Sequence, residues 1–323
     1  MPPLPRRALL AAPVLLVAGR AGAQPAFPNR PVTMVMPYAP GGGTDQVGRA
    51  VAQIMERELG TPVVVENRPG ANTGIGATHV VQSRPDGHTL FFGANALAIN
   101  PALQPNLTPR DPQRELAPIG EVYENPLILH VHTSLGTNTL ADFAAYARAH
   151  PGAVNYGTSG NGSFTHLLME MLAREGRFTA VNVPYRGNAP ALLDLRAGRL
   201  QAMFTSVLEA DPLLREGITK ALAVSSATRL PVVPDLPAVA ETFPGYDVAF
   251  WLGLFAPAGT PEPIIARLAA ALRAATTDAA LRERLAPQGV TMLTGDADAL
   301  RARLARDTDT WGRLIRDANI RPD

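Results

Sequence analysis

The spacing of apolar residues alternates between two periods along most of this chain. Val32-Thr33-Met34-Val35-Met36 is a short apolar run of strand type. Beyond it, Val47, Val51, Ile54, Met55 and Leu59 recur on one face at helical spacing, predicting a helix over 44–59. Pro62-Val63-Val64-Val65-Glu66 reads as a second strand, closed by the turn signal Asn67-Arg68-Pro69-Gly70. A helix is expected from Thr73 or Gly74 to about Gln82, and residues 89–93 read as a third buried strand.

The same alternation resumes in the second half. Residues 100–118, rich in proline and polar side chains, are expected to be a long surface loop, and 119–131 to be extended. A short helix over 140–150 and a strand over 154–158 follow. Next comes Ser159-Gly160-Asn161-Gly162-Ser163 and a helix with Leu167, Leu168, Met171 and Leu172 on its apolar face. Residues 181–185, 201–205 and 220–224 read as strands, 230–245 as a proline-dense return crossover, and 249–256 as an aromatic-rich strand. The tail is helical, with Pro261 in a first turn and a last helix over 296–315. Strands alternating with helices argue for an α/β chain of two doubly wound, mainly parallel sheets.

Composition adds the compartment and removes several chemistries. Arg6-Arg7, the apolar run 8–18 and Ala21-Gly22-Ala23 form a signal peptide with cleavage expected after Ala23, for either Sec or Tat export. Its removal takes away three arginines and no acid, moving the formal charge from +1 to −2. That balance gives no footprint for nucleic acid or for an anionic membrane surface. The absence of cysteine excludes disulfides, thiolate catalysis and cysteine-based zinc sites. About 300 mature residues suit two domains better than one.

The candidate chemistry lies at the two strand-to-helix turns. In Pro37-Tyr38-Ala39-Pro40-Gly41-Gly42-Gly43-Thr44-Asp45, consecutive glycines let backbone N–H groups approach an anion at the positive end of a helix. No lysine follows the glycines, so the phosphate-loop reading fails. Thr44 and Ser163 are expected to cap their helices, with hydroxyls able to reach a ligand as well. Asp45 either stabilises the helix dipole or accepts the loop's N–H groups and sets its shape. Tyr38 serves as a pocket wall or as packing, and His166 orients the second loop, binds or packs. Arg186, in Pro184-Tyr185-Arg186-Gly187-Asn188, is the candidate for a distal carboxylate. Enzyme chemistry is thin. Asn161 stands where the G-x-S-x-G elbow of a hydrolase needs glycine, and His130-x-His132 lacks a third metal ligand.

Taken together, these segments resemble the solute receptors of tripartite tricarboxylate transporters, the Bug family. The matching motifs are Pro37-x-x-Pro40-Gly41-Gly42-x-x-Asp45, Val65-Glu66-Asn67-Arg68-Pro69-Gly70-Ala71 with Gly74-x-Gly76, and Pro85-Asp86-Gly87-His88-Thr89-Leu90. Tyr156-Gly157-Thr158-Ser159-Gly160-x-Gly162-Ser163-x-x-His166, Val183-Pro184-Tyr185-Arg186-Gly187 and Pro257-x-Gly259-Thr260-Pro261 complete them in order. The resemblance implies a type II-like, two-domain periplasmic binding protein with a ligand cleft between sheets joined by crossover strands. It divides the chain into a signal peptide (1–23), a discontinuous first domain (24–124 with 246–323) and a second domain (125–245).

By the same resemblance the ligand is a small organic carboxylate, held by the loop residues Tyr38, Pro40, Gly41, Gly42, Gly43, Thr44 and Asp45 on one side. Ser159, Gly160, Asn161, Gly162 and Ser163 face it from the other, with Thr73, His166 and Arg186 nearby. The partners implied are the large and small integral subunits of a membrane permease. No cofactor, metal, nucleic acid or enzymatic activity is expected, and the receptor is expected to be a monomer. A secreted carboxylate sensor without a transporter is the alternative, and a hydrolase in the same cleft a weaker one. Thr205-Ser206-Val207 departs from the acidic or amide residue expected after that strand, which leaves the identity of the ligand open.

Overall fold

The computed structural model describes residues 27–322, so the expected signal peptide lies outside the described residues. The chain runs β1 (Val32–Met36), α1 (Gly43–Leu59), β2 (Val63–Asn67), α2 (Gly74–Val81) and β3 (Thr89–Ala94). Then α3 (Ala96–Leu103), α4 (Pro112–Glu115) and β4 (Leu116–Asn125) lead to β5 (Ile128–His132). Next come α5 (Leu140–Ala149), β6 (Asn155–Thr158), α6 (Phe164–Gly176), β7 (Val181–Pro184) and α7 (Asn188–Arg196). β8 (Ala202–Thr205), α8 (Val207–Arg215) and β9 (Thr219–Val224) follow. Finally β10 (Phe250–Pro257), α9 (Glu262–Thr277), α10 (Ala279–Leu285) and β11 (Thr291–Met292) precede α11 (Ala297–Asp317).

The strands pair into two sheets, one in the order β11-β4-β10-β3-β1-β2 and the other β7-β6-β8-β5-β9. The chain crosses between them twice. Residues 126–127 join β4 to β5, and residues 225–249 return from β9 to β10. That return carries only the short turn Val239–Glu241 and a bridge between Val224 and Ala238, as its prolines predict.

Local sequence accounts for most of the elements. Val47, Val51, Ile54, Met55 and Leu59 bury one face of α1, and Gly60 ends that helix at φ 70, sending its N–H to Glu56 O. Thr139 and Asp142 close a capping box at the start of α5. In α2, Gly76 lets helix and strand pack closely: a Cβ there would lie 3.2 Å from both Arg68 O and Pro37 Cβ.

Two expectations are corrected. The sheets are mixed rather than mainly parallel. β1 pairs in parallel with β2 and β3, and β6 with β7 and β8, but β10 is antiparallel to β3 and β4, and β5 to β8 and β9. β5 and β10 enter from the other sheet, without the helical crossover on their own sheet that makes a neighbour parallel. Residues 100–118 are not one loop. They hold the end of α3, all of α4 and the start of β4, with Pro101 inside α3 and Pro112 at the first turn of α4. α7 and α8 carry prolines at positions 190 and 212 and bury only Ala191 with Leu195, and Ala210 with Leu213, faces too narrow to register as periodic.

Two buried clusters hold the structure. One packs α1 and α9 on the first sheet, through Val51, Met55, Leu268 and Leu272 against Met34, Phe92 and Leu254. The other is shared between the sheets. Phe91, Leu97, Leu103 and Trp311 from the first body join Leu167, Leu168 and Tyr156 from the second. Each such fully buried side chain contributes about 1.5–3 kcal/mol. Tyr246, on the return segment, fastens to the same joint through its hydroxyl, which donates to Leu168 O at 2.9 Å.

Candidate functional site

Both glycine loops leave the carboxyl ends of strands, β1 and β6, where α/β sheets place their ligands. The first loop is fixed by one carboxylate. Asp45 is 2% exposed. It accepts the Gly41 N–H at 2.9 Å, Arg49 Nε at 2.9 Å and Asn67 Nδ2 at 2.8 Å. Asn67 Nδ2 also reaches Tyr38 O at 3.0 Å, and Arg49 returns to Asn67 Oδ1 at 2.8 Å. Burial opposes ionisation of Asp45, but the donors from Arg49, Asn67 and Gly41 outweigh it and hold its pKa at about 2. The Asp45 carboxylate thus shapes the loop.

That arrangement leaves the start of α1 open. Its N-cap is Gly42, without a side-chain cap, rather than Thr44. Thr44 sits one place past the first helical residue, and its Oγ1 accepts the Tyr123 hydroxyl at 3.3 Å. Three glycines in a row moved the helix start back, since Gly42 is extended at φ −71 and Gly43 is already helical. Among the first four N–H groups of any helix none has a partner inside the helix.

The second loop is held by α6. Ser163 caps that helix as expected, its Oγ accepting the His166 N–H. His166 Nδ1 accepts the Gly162 N–H at 2.9 Å, so its imidazole orients the loop. Thr165 Oγ1 accepts Ser159 N–H at 3.2 Å, and Asn182 ties Thr158 to Asn161 at 2.8 and 2.6 Å. Gly160 and Gly162 take φ +133 and +68, conformations in which a side chain would be strained.

Between the sheets lies a cavity of about 330 Å³, onto which four helix starts open. Gly43, Thr44 and Val47 come from α1, Phe164 and Thr165 from α6, Asn188 from α7, and Leu208 and Glu209 from α8 with its cap Ser206. Tyr123, Asn125, Leu127, Ser159, Phe250, Gln288 and Val290 complete the wall. Among the described residues it contains no Arg, Lys or His, and its one charged side chain is Glu209.

Of the residues singled out in the sequence, Gly43, Thr44 and Ser159 line this cavity. Gly41, Gly42, Asp45, Gly162, Ser163 and His166 form the supports just described. Pro40 is exposed beside them, while Gly160 and Asn161 continue the second loop. Tyr38 packs edge-on against Phe250, a wall residue, with ring centres 6.4 Å apart. Thr73 caps α2 away from the cavity wall, in a left-handed run with Ala71 and Asn72, and its buried Oγ1 has no partner among the described residues. Arg186 is exposed at the turn before α7 and is not on the wall. His130, 0% exposed, lies between Thr219 Oγ1 at 3.2 Å and Thr205 Oγ1 at 3.1 Å, and burial lowers its pKa to about 3. Sequence reasoning missed Asn67, Thr165, Asn188 and Glu209 as site residues. For Glu209 a signal existed, because Ser206-Val207-Leu208-Glu209 is a capping-box pattern that opens a helix.

The sequence profile of the tripartite tricarboxylate transporter family receptor matches residues 47–320. The chain belongs to that family. BugT of Bordetella pertussis is 33% identical over 300 residues, covering 91% of each chain. Among solved structures, MatC from Rhodopseudomonas palustris, with bound malate, is 35% identical with a TM-score of 0.77, over 90% of this chain and 100% of that one. An R. palustris protein solved with adipate is 31% identical with a TM-score of 0.80, over 92% and 100%. The periplasmic binding protein BugD superposes with a TM-score of 0.76 at 32% identity, over 92% and 100%. The two-sheet α/β architecture of this chain is therefore that of the family's periplasmic binding proteins.

Proposed function

We propose that this chain is an exported receptor that captures a small organic carboxylate between its two sheets and delivers it to a tripartite membrane transporter. The observation that carries the reading is the convergence of four helix starts on a cavity without a basic side chain. Aligned peptide dipoles place positive charge at each helix start, and orphan N–H groups supply the directional contacts. The malate and adipate held by relatives of the same fold belong to that ligand class. The loops 38–45 and 159–163 then act as facing jaws, with the supports around Asp45 and His166 keeping their N–H groups in place.

The signal peptide expected over 1–23 supports a periplasmic location. Sheet membership supports a first domain of 24–124 with 246–323 and a second of 125–245, closing about the two crossings. The family name supports a permease as the recipient of the ligand.

A thermal-shift screen of mono-, di- and tricarboxylates tests the reading. At least one acid is expected to raise the melting temperature, increasingly so as its concentration rises above its Kd. A panel in which only uncharged metabolites stabilise the protein would remove the anion argument.

A further inference from the structure

The cavity wall is not uniformly suited to negative charge. Glu209 stands on it, in the first turn of α8, and among the described residues no cationic side chain forms an ion pair with it. Its Oε2 accepts Ser206 Oγ at 2.8 Å and Ser206 N–H at 3.1 Å, and its Oε1 accepts Asn188 Nδ2 at 3.0 Å. A carboxylate offers about four lone-pair sites, so this one keeps acceptor capacity to spare. Asn188, the first residue of α7, supplies one of the donors that Glu209 already has.

A carboxylate on the wall with acceptor capacity to spare calls for a donor. At this place a second carboxylate on the ligand would face Glu209 as a like charge, which costs several kcal/mol in a desolvated interface. At the start of α8 the positive end of the helix dipole is already matched by the Glu209 carboxylate, which closes a capping box with Ser206. The uncapped start away from Glu209 is that of α1, where Gly42 precedes the helix.

Between the two kinds of surface the wall is apolar, with Leu127, Phe164, Phe250 and Val290, and with Leu208 projecting at 58% exposure. The volume, about 330 Å³, is roughly twice that of a cavity of ~150 Å³ that takes a benzene ring. A short carbon frame with a charged group at each end therefore fits.

Resting on the carboxylate reading above, we infer that the ligand is zwitterionic: a carboxylate at the open start of α1 and a protonated amine at Glu209. Selection works by repulsion as much as by attraction, since Glu209 turns away a dicarboxylate of the same length.

Isothermal titration of the purified receptor with matched panels tests this. The panels are amino acids (amino group at the α or the ω carbon), monocarboxylates and dicarboxylates on carbon frames from butanoate to octanoate. At least one amino acid is expected to bind about tenfold or more tightly than the dicarboxylate of its own frame. Glu209→Gln, which keeps the capping box because glutamine also closes one, should erase that preference by weakening the binding of amino acids and strengthening that of dicarboxylates. Dicarboxylates that match or exceed the amino acids on every frame would overturn the zwitterion assignment and leave the carboxylate reading intact. Amines or amides that bind as well without a carboxylate would overturn both. So would a panel in which nothing binds.

Discussion

Leu103, at the end of α3, lies so close to Gly162 in the second glycine loop that a Cβ on the glycine would stand 2.2 Å from Leu103 Cδ2. Leu103 belongs to the first sheet's body and Gly162 to the second's, so this contact sets how far one jaw stands from the other. Gly162 also takes φ +68, where an alanine is strained. Gly162→Ala is expected to destabilise the receptor by about 1–3 kcal/mol. Leu103→Ala should cost stability alone yet recover part of the loss when combined with it. A double-mutant cycle in urea denaturation checks the coupling, and strictly additive effects would show that the clash is not what strains the loop.

The Asp45 network predicts a dependence on acid. The folded pKa of about 2 lies below the ordinary aspartate value of 3.8, so ionised Asp45 favours the folded state. That contribution, on the order of 2 kcal/mol, is complete above pH 3.8 and fades as the pH falls toward 2. Asp45→Asn should therefore lower stability at neutral pH and flatten the stability profile between these limits. The measurement is chemical denaturation of both proteins across that range, where equal slopes would contradict the prediction.

Gly43 offers a clean test of the first jaw. A Cβ placed there meets nothing in the protein within 4 Å, and the residue lines the cavity. Gly43→Val should fold normally and weaken ligand binding about tenfold or more, which is 1.4 kcal/mol or more. Unchanged affinity in calorimetry, with an unchanged melting temperature, would move the ligand away from the start of α1.

Phe164 connects the cavity to an optical signal. It lines the wall, and its ring meets Trp311 edge-on with centres 6.0 Å apart. Trp251 is anchored instead by its indole N–H to Asp307 at 2.7 Å. Ligand binding is expected to change the intrinsic fluorescence through Trp311. Trp311→Phe should abolish the change and Trp251→Phe should keep it.

Much of this architecture was legible in the residues, and the failures have physical causes. The strand–glycine–helix units announced themselves because β1 is apolar, its glycines are consecutive and the buried face of α1 is wide. The direction of β5 and β10 could not be read, because pairing direction depends on which sheet a strand enters and not on its own pattern. α7 and α8 stayed hidden behind internal prolines and two-residue buried faces. The cavity wall was the least legible part. Asn188, Thr165 and Glu209 reach it from three different helices, brought together only by the pairing of β6, β7 and β8. The Asp45 carboxylate was readable as a support for its loop, but its partner Asn67 was visible only as a turn residue.

An anion held by peptide dipoles has a consequence for the way such a receptor gives up its cargo. A binding site built from arginine or lysine would leave a desolvated cation behind on release, and that stranded charge would slow departure. The start of α1 carries no such side chain into the cavity, so water can take the ligand's place on the N–H groups one by one. On the reading proposed above, in which the ligand is handed to a permease, a site without cations makes unloading a matter of opening.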